Sequence, residues 1–199
     1  MAKLKVAVTG GIGSGKSLAL SYLSQMGYPI FSCDEIYKEV ICLPEYIKQV
    51  SISFPEVIIN GAISREKLAT LVFDNPQYRT KINNIAHPLI MRKLHNAMDE
   101  CASDLVFAEV PLLFEGHYEN EFDKILYIYC NQNMRISHVI SRDGLEMAQV
   151  EKRILSQFNP DSEEGKHRLE NSQAYIIKNE GSCEELLNNL LIFLTTVKQ

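Results

Sequence analysis

Short apolar runs alternate with longer stretches of helical periodicity along this chain. Leu4-Lys5-Val6-Ala7-Val8-Thr9 is strand-length and stops at glycines, which predicts a buried parallel strand. A helix follows with Leu18, Leu20, Tyr22 and Leu23, ending near Gly27, a residue suited to a C-terminal cap. Pro29-Ile30-Phe31 predicts a second strand, and Ser32-Cys33-Asp34 stands at its C-terminal end, the edge beyond which open parallel sheets bind ligands. From Asp34 the pattern turns helical, with Ile36, Tyr37, Val40 and Ile41 on one side, until Pro44 breaks it.

Residues 45–100 contain no buried-strand pattern apart from a short Val57-Ile58-Ile59 before Asn60-Gly61. They predict helices starting near Ser64 and near Asn75-Pro76, and a further helix running past His87-Pro88 to about Met98. So long a helical stretch between two core strands exceeds an ordinary crossover and predicts an inserted substrate-side subdomain. Leu105 to Glu109 is the third core strand, and Lys124 to Cys130 is a fourth, apolar enough to be buried on both faces. Tyr127 and Tyr129 on that strand read as core. Residues from Asn133 to about Gln157 are charged and helical, with Arg135, Arg142, Asp143 and Arg153, a break at Gly144 and a turn at Asn159-Pro160-Asp161. A last strand over Ala174 to Ile177 and an amphipathic helix from Cys183 or Glu184 close the pattern. The fold class is α/β, with about five parallel strands and helices on both faces.

Composition narrows the picture without redirecting it. A chain of 199 residues fits one domain with an inserted subdomain. A hydrophobic share of 46% and a charged share of 23% are ordinary for a soluble globular protein. A net charge of −5 argues against a broad nucleic-acid surface. The cysteines at 33, 42, 101, 130 and 183 form no C-x-x-C pair and no zinc-like cluster, so they read as free thiols in a reducing compartment. Lys3 and Lys5 interrupt the apolar start, which therefore does not read as a signal peptide. Leu186 to Val197, broken by Asn188 and Asn189, is too short to span a bilayer. The expectation is a cytoplasmic protein with no nucleic-acid or membrane partner, a monomer or a small homo-oligomer.

The chemistry concentrates at Gly10-Gly11-Ile12-Gly13-Ser14-Gly15-Lys16-Ser17, which fits G-x-x-x-x-G-K-[ST] between the first strand and its helix. Glycines let successive backbone N–H groups converge on one anion, and the following helix adds its positive end. Lys16 would reach the β- and γ-phosphates, and Ser17 would offer its hydroxyl to Mg²⁺. A phosphate loop alone does not separate kinases from other nucleotide enzymes. Asp34 would be a general base or positioning group for an attacking hydroxyl if the first two strands are neighbours, or the N-cap of the next helix. Glu109 would stand near the Mg²⁺ shell or serve as a strand-end hydrogen-bonding group. Glu115 would face the substrate cleft or solvent. Arg142 and Arg153 would neutralise the transferring phosphoryl group from a closing lid, or form a solvated face paired with Asp143, Glu146 and Glu151. Arg65 suits a substrate phosphate; His87 would bind substrate or hold a helix start.

These residues together resemble the dephospho-coenzyme A kinase family of P-loop kinases. The resemblance rests on Thr9 to Ser17, Asp34, Arg65-Glu66-Lys67-Leu68 with Val72-Phe73, and His87-Pro88-Leu89-Ile90. It continues through Glu109-Val110-Pro111-Leu112-Leu113-Phe114-Glu115, Arg142-Asp143, and Arg153-Ile154 with Gln157. It implies a P-loop NTPase fold: a three-layer α/β/α core over 1–44, 101–134 and 170–199, a helical coenzyme A-side insert over about 45–100 and a helical lid over about 135–165. It implies transfer of the γ-phosphoryl group of ATP to the ribose 3′-hydroxyl of dephospho-coenzyme A, with Mg²⁺. Asp34, Lys16 and Arg142 match catalytic positions. Gly11, Ile12, Gly13, Ser14, Gly15, Lys16, Ser17, Leu18, Arg142 and Arg153 match ATP positions. Asp34, Arg65, His87, Leu112 and Glu115 match the substrate side; Ser17 and Glu109 match Mg²⁺ positions, partly through water.

The sequence departs from the family pattern at Ser32, where an Asp is usual, at Leu18 for Thr and at Glu109 for the commoner Asp. Asn171 to Tyr175 also departs from Ala-Asp-x-Val-Ile. Competing readings are another small-metabolite or nucleoside kinase, and an ATP-dependent switch without phosphoryl transfer. No Asn/Thr-Lys-x-Asp guanine motif is present.

Overall fold

The computed structural model describes residues 3–73 and 75–197, so the outermost residues of the predicted core segments 1–44 and 170–199 lie outside it. The chain forms two compact units, Met1–Phe31 with Cys101–Gln199, and Ser32–Glu100.

The first unit is built on β1 (Leu4–Thr9), the centre of a five-stranded parallel sheet. The strand order is β2 (Ile30–Ser32), β5 (Leu105–Glu109), β1, β6 (Lys124–Tyr129) and β7 (Tyr175–Lys178). Val8 lies opposite Glu109 on one side and Leu126 on the other. Along these strands Val6, Val8, Phe107, Leu126 and Ile128 share a core with Leu20 and Leu23 of α1 (Lys16–Gln25) and Leu190 and Phe193 of α9 (Cys183–Val197). The alternate positions Ala7, Val106, Ala108, Ile125 and Tyr127 are buried as well, so the apolar runs are continuous because both faces of the strands are covered.

Three further helices belong to this unit: α6 (Gln132–Asp143), α7 (Met147–Leu155) and α8 (Glu163–Asn171). Asn131 caps α6 by accepting from the Met134 N–H at 3.0 Å, and Gly144, at φ 65°, ends it where the sequence predicts a break. Ile136, Val139, Val150 and Ile154 give α6 and α7 a small core of their own, with Ile12 and Leu145 packed against it. The pattern predicted no helix over α8, because only Gly165 and Leu169 are buried there and no apolar stripe exists; the Ser162 hydroxyl starts it by accepting from the Gly165 N–H at 3.0 Å.

The second unit packs α2 (Cys33–Val40), α3 (Pro44–Ser53) and α4 (Arg65–Phe73) against α5 (Pro76–Glu100). Between α3 and α4 a small hairpin pairs β3 (Ile58–Ile59) with β4 (Ala62–Ile63) through Asn60-Gly61, both left-handed, as a two-residue hairpin turn requires. Two expectations change here. The unit begins at Ser32 and not at 45, since Ile36 and Val40 of α2 are buried and α2 packs on α5. The two helices predicted over 75–98 are one 25-residue helix. Pro88 removes one backbone donor, but buried Ile82, Ile85 and Ala86 before it and Leu89, Ile90, Leu94 and Met98 after it carry the apolar stripe through.

Candidate active site

The loop between β1 and α1 leaves the C-terminal end of the central strand, where the chain's connections run to opposite sides of the sheet. Gly15 is the N-cap of α1 at φ 97°, and a Cβ there would collide with the Asn179 amide that donates to the Ser14 carbonyl at 2.9 Å. The first turn of α1 carries no acidic residue, so its positive end is uncompensated. Ser14 is 1% exposed and its hydroxyl has no partner among the described residues. A buried hydroxyl without a partner among the described residues and a helix start free of acidic residues fit a polyphosphate.

Lys16 is the electrostatic centre of the loop. Its ammonium donates to the carbonyls of Gly10 at 2.7 Å and Gly11 at 3.0 Å. Burial lowers its pKa to about 8; Glu109 and Glu115 push the other way, and Arg135 and Arg142 add to the lowering. Phosphate beside the ammonium favours the charged form, so nucleotide binding raises this pKa. Binding of metal-free ATP is therefore expected to take up a proton above pH 8, its dissociation constant rising toward about tenfold per pH unit. Calorimetric titrations between pH 7 and 9.5 check this; a flat profile contradicts it.

The condition attached to Asp34, that the first two strands are neighbours, is not met. β1 and β2 are not neighbours, because β5 lies between them; the strand that ends beside the loop on that side is β5, with Glu109 as its last residue. Ser17 is exposed in the first turn of α1, and Leu18 donates its N–H to the Gly15 carbonyl at 3.1 Å. Among the described residues no group of three or more His, Cys, Asp or Glu could hold a metal. Ser17 at the head of α1 and Glu109 at the end of β5 are the residues that could hold a Mg²⁺ ion at the loop, a cation that commonly draws its other oxygens from phosphate and water.

The segments facing the loop from the C-terminal half are tightly tied. Glu115, expected at substrate or in solvent, accepts from the Phe158 N–H at 2.8 Å. Phe158 stacks on Phe114 at 4.2 Å between centroids, and the Arg168 guanidinium lies over both rings while donating to Glu119 and the Phe114 carbonyl. Leu112 is exposed in the same loop. Arg142 forks onto its neighbour Asp143 at 2.7 and 2.9 Å, which holds the Asp143 carboxyl below its usual range; exposed Arg153 adds to that lowering. The solvated pair predicted as the alternative for Arg142 is therefore formed, while its charge still reaches Lys16.

In the second unit Asp34 is exposed in the first turn of α2, and no hydrogen bond or ion pair engages its carboxylate among the described residues. Ser32, not Asp34, holds the N-cap position. Arg65 is exposed at the start of α4. His87 lies inside α5 and starts no helix; burial lowers its pKa, so its imidazole is neutral near pH 7.

Sequence reasoning passed over three residues that shape the loop. Arg135 donates to the Ile12 carbonyl, His138 Nδ1 to the Gly13 carbonyl at 2.9 Å and Asn179 to the Ser14 carbonyl. Asn179 follows a strand at the ligand-binding edge of the sheet, a signal the sequence carried. His138 had none.

Comparison with known proteins adds to this geometry. The family model described as dephospho-CoA kinase matches residues 4–185. A dephospho-CoA kinase from Geobacillus kaustophilus is 31% identical over 197 residues, covering 96% of this chain and 95% of its own. The crystal structure of TT1252 from Thermus thermophilus superposes with a TM-score of 0.82 at 27% identity over 100% of both chains. A dephospho-CoA kinase from Campylobacter jejuni superposes with a TM-score of 0.66 at 25% identity, covering 97% of this chain and 96% of its own.

Proposed function

The chain belongs to the dephospho-CoA kinase family, and we propose that it transfers the γ-phosphoryl group of ATP to the ribose 3′-hydroxyl of dephospho-coenzyme A, giving ADP and coenzyme A. The observation that carries the reading is the glycine loop with half-buried Lys16 and an acid-free helix end, inside a family match that spans both units. Lys16 and the loop amides hold the β- and γ-phosphates and neutralise charge that builds on the bridging oxygen as its bond to phosphorus breaks. Bound Mg²⁺ supplies further neutralisation of the phosphate oxygens. Asp34 takes the proton of the attacking hydroxyl; its exposed, unengaged carboxylate supports that role.

Arg65 and His87 are the acceptor-side candidates, the first as a fork for an oxyanion, the second as a neutral hydrogen-bonding imidazole. Leu112 and Glu115 belong to the same proposal, Glu115 with one carboxylate oxygen engaged by Phe158. Arg142 and Arg153 act as lid cations, Arg142 exchanging Asp143 for phosphate; its influence on Lys16 supports this. The five free cysteines fit a reducing cytoplasm. No helix among the described residues is long and apolar enough to cross a membrane.

The test offers MgATP with dephospho-coenzyme A and with a panel of sugar, nucleoside and shikimate-like hydroxyl acceptors, and follows ADP. Acceptor-stimulated ADP release is expected with dephospho-coenzyme A alone. Turnover of a different acceptor, with none of this one, contradicts the reading.

A further inference from the structure

A buried cation stands where helix energetics disfavour it. Arg135 lies in the first turn of α6, whose positive end repels a guanidinium, and it is only 6% exposed. Among the described residues no carboxylate pairs with it; its hydrogen bonds run to the Ile12 carbonyl at 2.9 Å and to Gln157 Oε1 at 3.1 Å. The same Gln157 oxygen accepts from the Ile12 N–H at 2.8 Å, and the Ile12 side chain packs on the α6–α7 core. One loop residue is thus held by its N–H, its carbonyl and its side chain. The guanidinium also lies against Gly11: a Cβ there would overlap its central carbon and stand 2.8 Å from Nη1, although Gly11 does not have a left-handed φ. A guanidinium buried without a paired carboxylate is costly, and its hydrogen bonds to Ile12 and Gln157 are what offset that cost.

We propose that Arg135 is a positioning residue for the reaction: through Ile12 and Gln157 it sets the shape of the phosphate cradle and ties it to the end of α7. The proposal rests on nucleotide binding by the loop and is independent of the acceptor's identity. It accounts for the glycine at position 11, where a Cβ would displace the guanidinium from its place against the loop. The restraint is the guanidinium and not the backbone angle.

The experiment titrates ADP calorimetrically into the full chain and its variants Gly11→Ala, Arg135→Ala, Arg135→Lys and the Gly11→Ala/Arg135→Ala double variant, with a thermal melt of each. Gly11→Ala and Arg135→Ala are each expected to weaken ADP binding about tenfold or more. The double variant is expected to bind no more weakly than Arg135→Ala, because the obstacle to the new Cβ has gone. Arg135→Lys keeps the charge without the fork and is expected to recover part of the loss, while raising KM for ATP and leaving KM for the acceptor unchanged. Additive losses in the double variant, or wild-type ADP affinity in Gly11→Ala, overturn the proposal. If Arg135→Ala fails to fold, Gly11→Ala and Arg135→Lys still decide it. Absent transfer to dephospho-coenzyme A with this ADP pattern intact would count only against the acceptor.

Discussion

Lys16→Ala is expected to lower kcat/KM for ATP by about a thousandfold or more, roughly 4 kcal/mol of transition-state stabilisation. The ammonium sits among the loop carbonyls of Gly10 and Gly11, in surroundings dry enough to hold its pKa near 8, so little water screens the charge that it brings to phosphate. The same burial gives the variant a second signature. A lysine whose pKa is lowered in the folded chain pays for its charge at every pH below that value, so its removal relieves a penalty at pH 7. The melting temperature of Lys16→Ala at pH 7 is therefore expected to equal or exceed that of the wild type. Loss of turnover without loss of stability marks a residue kept for function. Initial rates against ATP, paired with melts, check both parts; a rate loss under tenfold contradicts the assignment.

Asp34→Asn is expected to reduce kcat by about a hundred- to ten-thousandfold while ADP affinity stays within about twofold. The amide keeps the shape of the carboxylate but cannot take the hydroxyl proton. Because the side chain is exposed and unengaged among the described residues, its replacement disturbs no packing and is expected to change stability by less than about 1 kcal/mol. Undiminished kcat in this variant removes Asp34 from the chemistry.

Much of this arrangement was legible in the chain. The apolar runs over Leu4–Thr9, Leu105–Glu109 and Lys124–Tyr129 are strands because continuous burial leaves no polar face to alternate. The glycine loop was legible because its spacing states its chemistry. The strand order was not: periodicity says which residues are strand and nothing about which strands adjoin, so the placing of β5 between β1 and β2 had to be seen. The helix predicted to run past His87-Pro88 does so, but it is continuous with the one predicted from Asn75-Pro76, because burial on both sides of Pro88 outweighs one missing hydrogen bond. The site's supports were the least legible part. Arg135 reads as one more charge on a polar helix, and only the fold brings it under Gly11 and beside Gln157. Asp34 and Arg142 illustrate the opposite case, where the sequence names the residue but its engagement is a matter of structure: unengaged for Asp34, forked onto Asp143 for Arg142.

The proposed reaction moves a phosphoryl group from ATP to one particular hydroxyl. It is tested most directly by incubating the protein with MgATP labelled at the γ-phosphate and dephospho-coenzyme A, then locating the label by mass spectrometry and phosphorus NMR. The label is expected in a single phosphomonoester on the ribose 3′-oxygen, in amounts equal to the ADP formed. Label recovered only as inorganic phosphate, or on another oxygen of the acceptor, would contradict the account.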